Sequence, residues 1–198
     1  MKTRMMSFVL VVSVFALAPV ALSQTGAEAA NANEEWGVPA NGLEMSISLG
    51  PQTSPFVPTI LLHLRNVGAA KLTVDLGGSC GGPPRPDGVE LSLTSSSGNH
   101  ARLKDAGPGT GACAGGVAML RVPIGPGADY WTAIDLYYYR EFPLTRSPCG
   151  DDFVRGWKPG GTYTLQAELT SPQVTNSPFD HDWHGTVTSN ELRVHFRP

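Results

Sequence analysis

From residue 42 onward, apolar and polar side chains take turns along the chain. Leu43, Met45, Ile47 and Leu49 alternate with Glu44, Ser46 and Ser48, which sets four apolar side chains on one face of an extended strand. Gly50-Pro51 ends it. Ile60, Leu62 and Leu64 repeat the pattern against Leu61, His63 and Arg65, and Asn66-Val67-Gly68 turns the chain. Leu72, Val74 and Leu76 come next, closed by Gly77-Gly78. Val89, Leu91 and Leu93 form the next set, and Ser97-Gly98-Asn99 is a hairpin signal. Leu120, Val122 and Ile124 form another. Across 129–139, Tyr130, Ile134, Leu136 and Tyr138 share one face of a predicted strand, leaving Trp131, Ala133, Asp135, Tyr137 and Tyr139 on the other. Tyr163, Leu165, Ala167 and Leu169 alternate cleanly, as do Leu192, Val194 and Phe196. Val187 is out of phase with that last set, which predicts a bulge near Ser189-Asn190. No stretch repeats with the helical period.

Eight or nine short strands, each with one wet and one apolar face, predict antiparallel sheets. Two such sheets bury their apolar faces against each other, giving an all-β sandwich over residues 42–198. A closed barrel is the alternative. The long irregular loops at 77–88, 105–116 and 141–157 favour the sandwich, whose ends carry such loops. Pro126-Gly127-Ala128-Asp129-Tyr130 and Pro159-Gly160-Gly161-Thr162-Tyr163 share the form Pro-Gly-x-x-Tyr. In each, a Pro-Gly turn fixes the entry to a strand and the Tyr plugs the end of the core. This is similar to the tyrosine corner of immunoglobulin-like domains, with Tyr163 the better placed of the two.

Longer stretches carry the same likeness. WGVPANGLEMSISL, PTILLHLRNVG, DGVELSLTSSSG, VPIGPGADYWTAIDL, KPGGTYTLQAEL and DWHGTVTSNELRV, together covering most of residues 36–197, resemble bacterial secreted proteins with a single immunoglobulin-like β-sandwich domain. These motifs are turn-and-strand grammar. The resemblance implies export and an antiparallel immunoglobulin-like sandwich, and it brings no catalytic residues to this chain.

Composition narrows the picture. Gly 23 and Pro 17 in 198 residues amount to about 20%, against roughly 12% in an average protein, which argues against helical bundles and doubly wound α/β enzymes. Residues 1–23 join a basic start (Lys2, Arg4) to an apolar run from Phe8 to Leu17 and end in Ala21-Leu22-Ser23, the pattern of a cleaved export signal with Gln24 as the new N-terminus. The apolar core is too short for a membrane span, which needs about 20 apolar residues. Residues 24–41 are small, polar and acidic, and read as a flexible leader with Trp36 as its anchor. Removing the signal leaves 12 basic against 17 acidic side chains. That balance argues against a nucleic-acid or anionic-membrane partner. The expected address is secreted or periplasmic, with no stable membrane insertion after cleavage.

Candidate chemistry is sparse. Cys80, Cys113 and Cys149 are all expected in loops of the exported part. An odd count permits one internal bridge. Cys80–Cys113, joining two Gly-rich neighbourhoods, is favoured over Cys113–Cys149 and Cys80–Cys149. Gly77-Gly78-Ser79-Cys80-Gly81 matches a nucleophile elbow in letters only, because Gly82-Pro83-Pro84 forbids the helix that must come after it. Gly107-Pro108-Gly109-Thr110-Gly111-Ala112 loosely matches a dinucleotide loop but lacks the strand and helix around it. Asp180, His181, Asp182 and His184 could ligate a transition metal, yet an extended segment points His181 away from the others, so the stretch reads as a solvated hairpin loop.

The predicted strand 129–139 offers more. Trp131, Tyr137 and Tyr139 on its outer face, with the loop aromatics Phe153 and Trp157, form a candidate partner surface, unless the loop 141–157 folds over it. The expectation is therefore an exported protein without enzymatic activity or cofactor, acting in recognition or envelope structure, with a protein or a glycan as partner. Two other readings are a peptidase inhibitor presenting a disulfide-pinned loop with Pro83-Pro84-Arg85-Pro86 as bait, and a metal-dependent enzyme using His181 and His184.

Overall fold

The computed structural model describes residues 35–51, 57–80, 85–106, 117–141, 160–171 and 182–197. The expected export signal (1–23), most of the expected leader, Cys113, Cys149, Phe153, Trp157, Asp180 and His181 lie outside the described residues. Among those described, the strands are β1 (Leu43–Leu49), β2 (Thr59–Asn66), β3 (Leu72–Cys80), β4 (Val89–Ser95), β5 (His100–Asp105), β6 (Val117–Ile124), β7 (Asp129–Asp135), β8 (Tyr139–Glu141), β9 (Thr162–Ser171), β10 (Gly185–Thr188) and β11 (Leu192–His195). The protein is all-β, and every pairing between these described strands is antiparallel. No helix among the described residues is long and apolar enough to cross a membrane.

Among the described residues three sheets share one core. The first runs β1-β2-β7, the second β10-β9-β4-β5-β8 with β11 also on β9, and the third pairs β3 with β6. In the first sheet Met45 faces Leu64 and Ile47 faces Leu62 across β1 and β2. All four are buried, as are Leu91, Leu93, Leu165 and Leu169 of the second sheet and Val74 and Ile124 of the third. Each such side chain removed from water contributes about 1.5–3 kcal/mol, so the period-two pattern is what joins the sheets. The described residues belong to one compact unit, Glu34–Pro198. The end of the predicted leader is part of it. Gly37 donates its N–H to the Met45 carbonyl at 2.9 Å and Ala40 donates to the Leu43 carbonyl at 2.8 Å.

Local geometry departs from plain alternation at three places. In β3 the register with β6 shifts between Asp75 and Gly78. Gly77 sits at φ 105°, and a Cβ there would lie 1.9 Å from Asp87 Oδ1, so the bulge requires glycine. The strand passes through this bulge rather than closing at Gly77-Gly78. Cys80 is consequently the last residue of β3, opposite Val117, not a loop residue. At the C-terminus, the four steps from Thr188 to Leu192 span the same stretch of β9 as the three from Glu168 to Leu165. That is the one-residue bulge expected near Ser189-Asn190, and it lets both Val187 and Val194 reach the core.

The third departure changes the candidate surface. β7 ends at Asp135, and a 3-10 turn covers Leu136–Tyr138. The Asp135 carboxylate caps it by accepting the Tyr137 N–H at 2.9 Å. The turn carries the chain from the first sheet to β8 at the edge of the second. Three residues at a helical pitch reverse the facing of the residues beyond them. Tyr139, expected outside, is 1% exposed, and Tyr138, expected in the core, is only half-buried.

Candidate functional site

On the outer face of the first sheet the registers set side chains in cross-strand rows. Glu44, Arg65 and Asp129 form one row, and Ser46, His63 and Trp131 the next. Facing side chains in such rows are close enough to interact directly. The His63 and Trp131 rings stack with centroids 3.4 Å apart and planes at 19°. Trp36 lies against the same imidazole, centroid to centroid 4.4 Å, and the Arg65 guanidinium sits 4.1 Å over the Trp36 ring. Arg65 also meets Asp129 at 3.0 Å and Glu44 at 3.4 Å. His63 Nε2 stands 3.4 Å from the other Asp129 oxygen.

The cluster grades from closed to open. Ser46 and His63 are buried, and the Ser46 hydroxyl is left without a hydrogen-bond partner. Trp131 remains 41% exposed. Its indole is fixed from behind by the imidazole, so it presents a large apolar face at little conformational cost on binding. The expected position of Trp131 on the outer face is thus where the structure puts it.

Tyr137, 55% exposed, belongs to a different cluster. It meets Tyr138 edge-on at 5.4 Å with the Arg140 guanidinium 5.9 Å from its ring. Tyr139 beside it is structural. Its hydroxyl donates to the Val89 carbonyl at 3.1 Å and the Pro86 carbonyl at 3.3 Å. Burial, together with the nearby Asp105 and Asp87 charges, pushes that phenol far above its ordinary range. Tyr139 thus clamps the backbone, a role not expected of it, and Tyr163 packs edge-on against Phe196 at 5.5 Å.

The same corner ties down Arg85. Its guanidinium lies 4.4 Å over the Tyr138 ring and 3.4 Å from Asp105 Oδ1, with its side chain 20% exposed. Asp87 accepts the Gly78 N–H at 2.6 Å. Its carboxyl is raised above 3.8, first by burial, though the Gly78 bond opposes this, and then by the Asp105 charge. Arg85 is thus held on two sides, while Pro83 and Pro84 of the expected bait lie outside the described residues.

The described part of the Asp-His cluster is not a solvated loop. Trp183 is 2% exposed and donates Nε1–H to the Ala40 carbonyl at 3.1 Å, and its backbone N–H reaches the Thr73 carbonyl at 2.9 Å. Asp182 is bound by Arg121. The Asn41 amide donates to the His184 carbonyl at 2.7 Å. Among the described residues no group of three or more His, Cys, Asp or Glu could hold a metal ion.

Periodicity alone did not single out Trp36, His63, Arg65 and Asp129 as site residues. The available signal was the outward phase of His63 and Arg65 in β2; what turned it into a cluster is β7 lying beside β2, a pairing distant in sequence. No protein-family model, curated protein or solved structure matches the chain.

Proposed function

We propose that the chain is an exported, non-enzymatic recognition module built on an immunoglobulin-like β-sandwich, and that Trp131 meets its partner. Three antiparallel sheets around one core support the sandwich. The likeness of its strand and turn motifs to bacterial secreted sandwich proteins, together with the N-terminal pattern, supports export. The observation that carries the reading is the exposed indole stacked at 3.4 Å on a buried imidazole, with the carboxylates of Asp129 and Glu44 and the guanidinium of Arg65 beside it. Rigid aromatics next to a few polar groups are typical of protein and glycan recognition. Of the described candidates Trp131 keeps the role, because Tyr139 is core and Tyr137 lies in another cluster; Phe153 and Trp157 lie outside the described residues. The inhibitor alternative is weakened by the double tether on Arg85.

The test compares wild type with Trp131→Ala in a pull-down from the source envelope fraction and in fluorescence titrations with soluble envelope glycans. Loss of the captured partner or of the glycan response in the variant is expected. Equal capture and equal response by both proteins would remove Trp131 from function. N-terminal sequencing of the mature protein should begin at Gln24, and an intact Met1 would remove export by a cleaved signal.

A further inference from the structure

β7 closes one side of the first sheet. Its register with β2 runs unbroken from Asp129 to Asp135, and among the described residues no strand pairs with its second edge. An edge of this kind presents alternate N–H and carbonyl groups ready to take another strand. The side chains along it continue the rows of the sheet. His63 on β2 backs the Trp131 ring from one side, so the 41% of Trp131 left exposed lies away from that imidazole. An added strand would place its own side chain there, as the next ring in the stack. The neighbouring row reads Glu44, Arg65, Asp129, negative, positive, negative, and the position beyond Asp129 calls for a positive charge. Asp135, at the far end of the outward face, is also exposed. The outward positions of this edge are Asp129, Trp131, Ala133 and Asp135, with no basic group among them.

Resting on the recognition reading above, we propose that the partner is an extended polypeptide segment with basic residues on one face, which adds to β7 as a fourth strand. Its cations pair with Asp129 and Asp135, and the side chain between them that falls opposite Trp131 covers the indole. Backbone hydrogen bonds along the edge supply affinity, and the charge spacing supplies choice of register. A second copy of this chain fits poorly, since antiparallel pairing of two β7 strands about Thr132 sets Asp129 against Asp135 at both ends.

The probe is the capped heptapeptide Lys-Val-Tyr-Thr-Tyr-Val-Lys, whose alternate positions set Lys on Asp129 and Asp135 and Tyr on Trp131 in either direction, with Glu-Val-Tyr-Thr-Tyr-Val-Glu as control. Titration into the purified protein, monitored by Trp fluorescence and by hydrogen exchange of residues 129–135, is expected to show saturable binding of the lysine peptide and slowed exchange in β7. The glutamate peptide, Asp129→Asn and Trp131→Ala should each weaken binding at least tenfold, while Tyr137→Ala leaves it unchanged. Equal binding of the two peptides, or binding with unaltered exchange in β7, overturns the strand addition. A concentration-dependent dimer that protects β7 overturns it in favour of self-association. A glycan response lost in Trp131→Ala, with both peptides silent, overturns it while leaving the recognition surface standing. Silence toward peptide and glycan alike, with unchanged envelope capture, ends both.

Discussion

Trp131 and Tyr139 lie on a stretch that alternates as if it were one strand, yet they end in opposite kinds of place. The region around Trp131 is open. β2 and β7 bring His63 and the indole together on the outer face of a sheet, the segment ahead of β1 lays Trp36 against the imidazole, and the ring at the edge keeps 41% of its surface in water. The region around Tyr139 is closed. Arg85, Asp87, Asp105 and Tyr138 crowd a corner where a phenol, 1% exposed, holds the Val89 and Pro86 carbonyls. The difference comes from the 3-10 turn between them, capped by Asp135. An aromatic residue fits either role, so the turn and not the residue type decides which tyrosine or tryptophan is free to bind.

The largest expected effect is on the closed side. Tyr139→Ala should destabilise the protein by about 3–5 kcal/mol, the range for removing a buried aromatic ring, as read by denaturant unfolding. A cost under about 1 kcal/mol would mean that the corner is not closed. Tyr139→Phe keeps the ring and strips the hydroxyl from two buried carbonyls, and should cost about 1–3 kcal/mol. Unchanged stability would show that the clamp adds nothing beyond packing. On the open side, Trp131→Ala should cost only about 1 kcal/mol, mainly the stacking on His63. A loss as large as that of Tyr139→Ala would erase the contrast.

The smallest effect concerns Asp87 and pH. Its folded carboxyl is raised above the ordinary 3.8, so the fold disfavours its ionised form. The stability tied to its protonated form is present in full below that ordinary value and is lost as pH rises through the folded one. Asp87→Asn keeps an oxygen to accept the Gly78 N–H and removes the charge beside Asp105. The variant should be more stable than wild type at pH 7 by under about 1 kcal/mol, with the gain fading as pH falls through the raised folded value and gone below about 4. A difference that does not change between pH 3 and 7 would place Asp87 in water, outside the closed corner.

Much of the strand plan was legible because its residues permit a single facing. Leu43, Met45 and Ile47 alternate with the polar Glu44, Ser46 and Ser48, so β1 is fixed in phase, and Val187 against Val194 exposes the bulge between β10 and β11. The 3-10 turn was not legible. Asp135-Leu136-Tyr137-Tyr138-Tyr139 continues the alternation in letters, and nothing in one sequence marks Asp135 as a cap rather than another outward polar residue. Trp183 was hidden by its Asp and His neighbours, whose polarity suggested a loop while the indole went to the core. β5, with only Ala101 and Leu103 as apolar positions in HARLKD, is held by pairing with β4 rather than by its own pattern. The aromatic stack needed the order β1-β2-β7, and strand order between distant segments leaves no trace in local periodicity.

The contrast between the two regions is tested most directly by hydroxyl-radical footprinting of the native protein, read residue by residue by mass spectrometry. Trp131 and Tyr137 should be modified readily, with Tyr139 and Trp183 protected until the protein unfolds. Labelling of Tyr139 at the rate of Tyr137, or protection of Trp131 to the level of Trp183, would contradict the account.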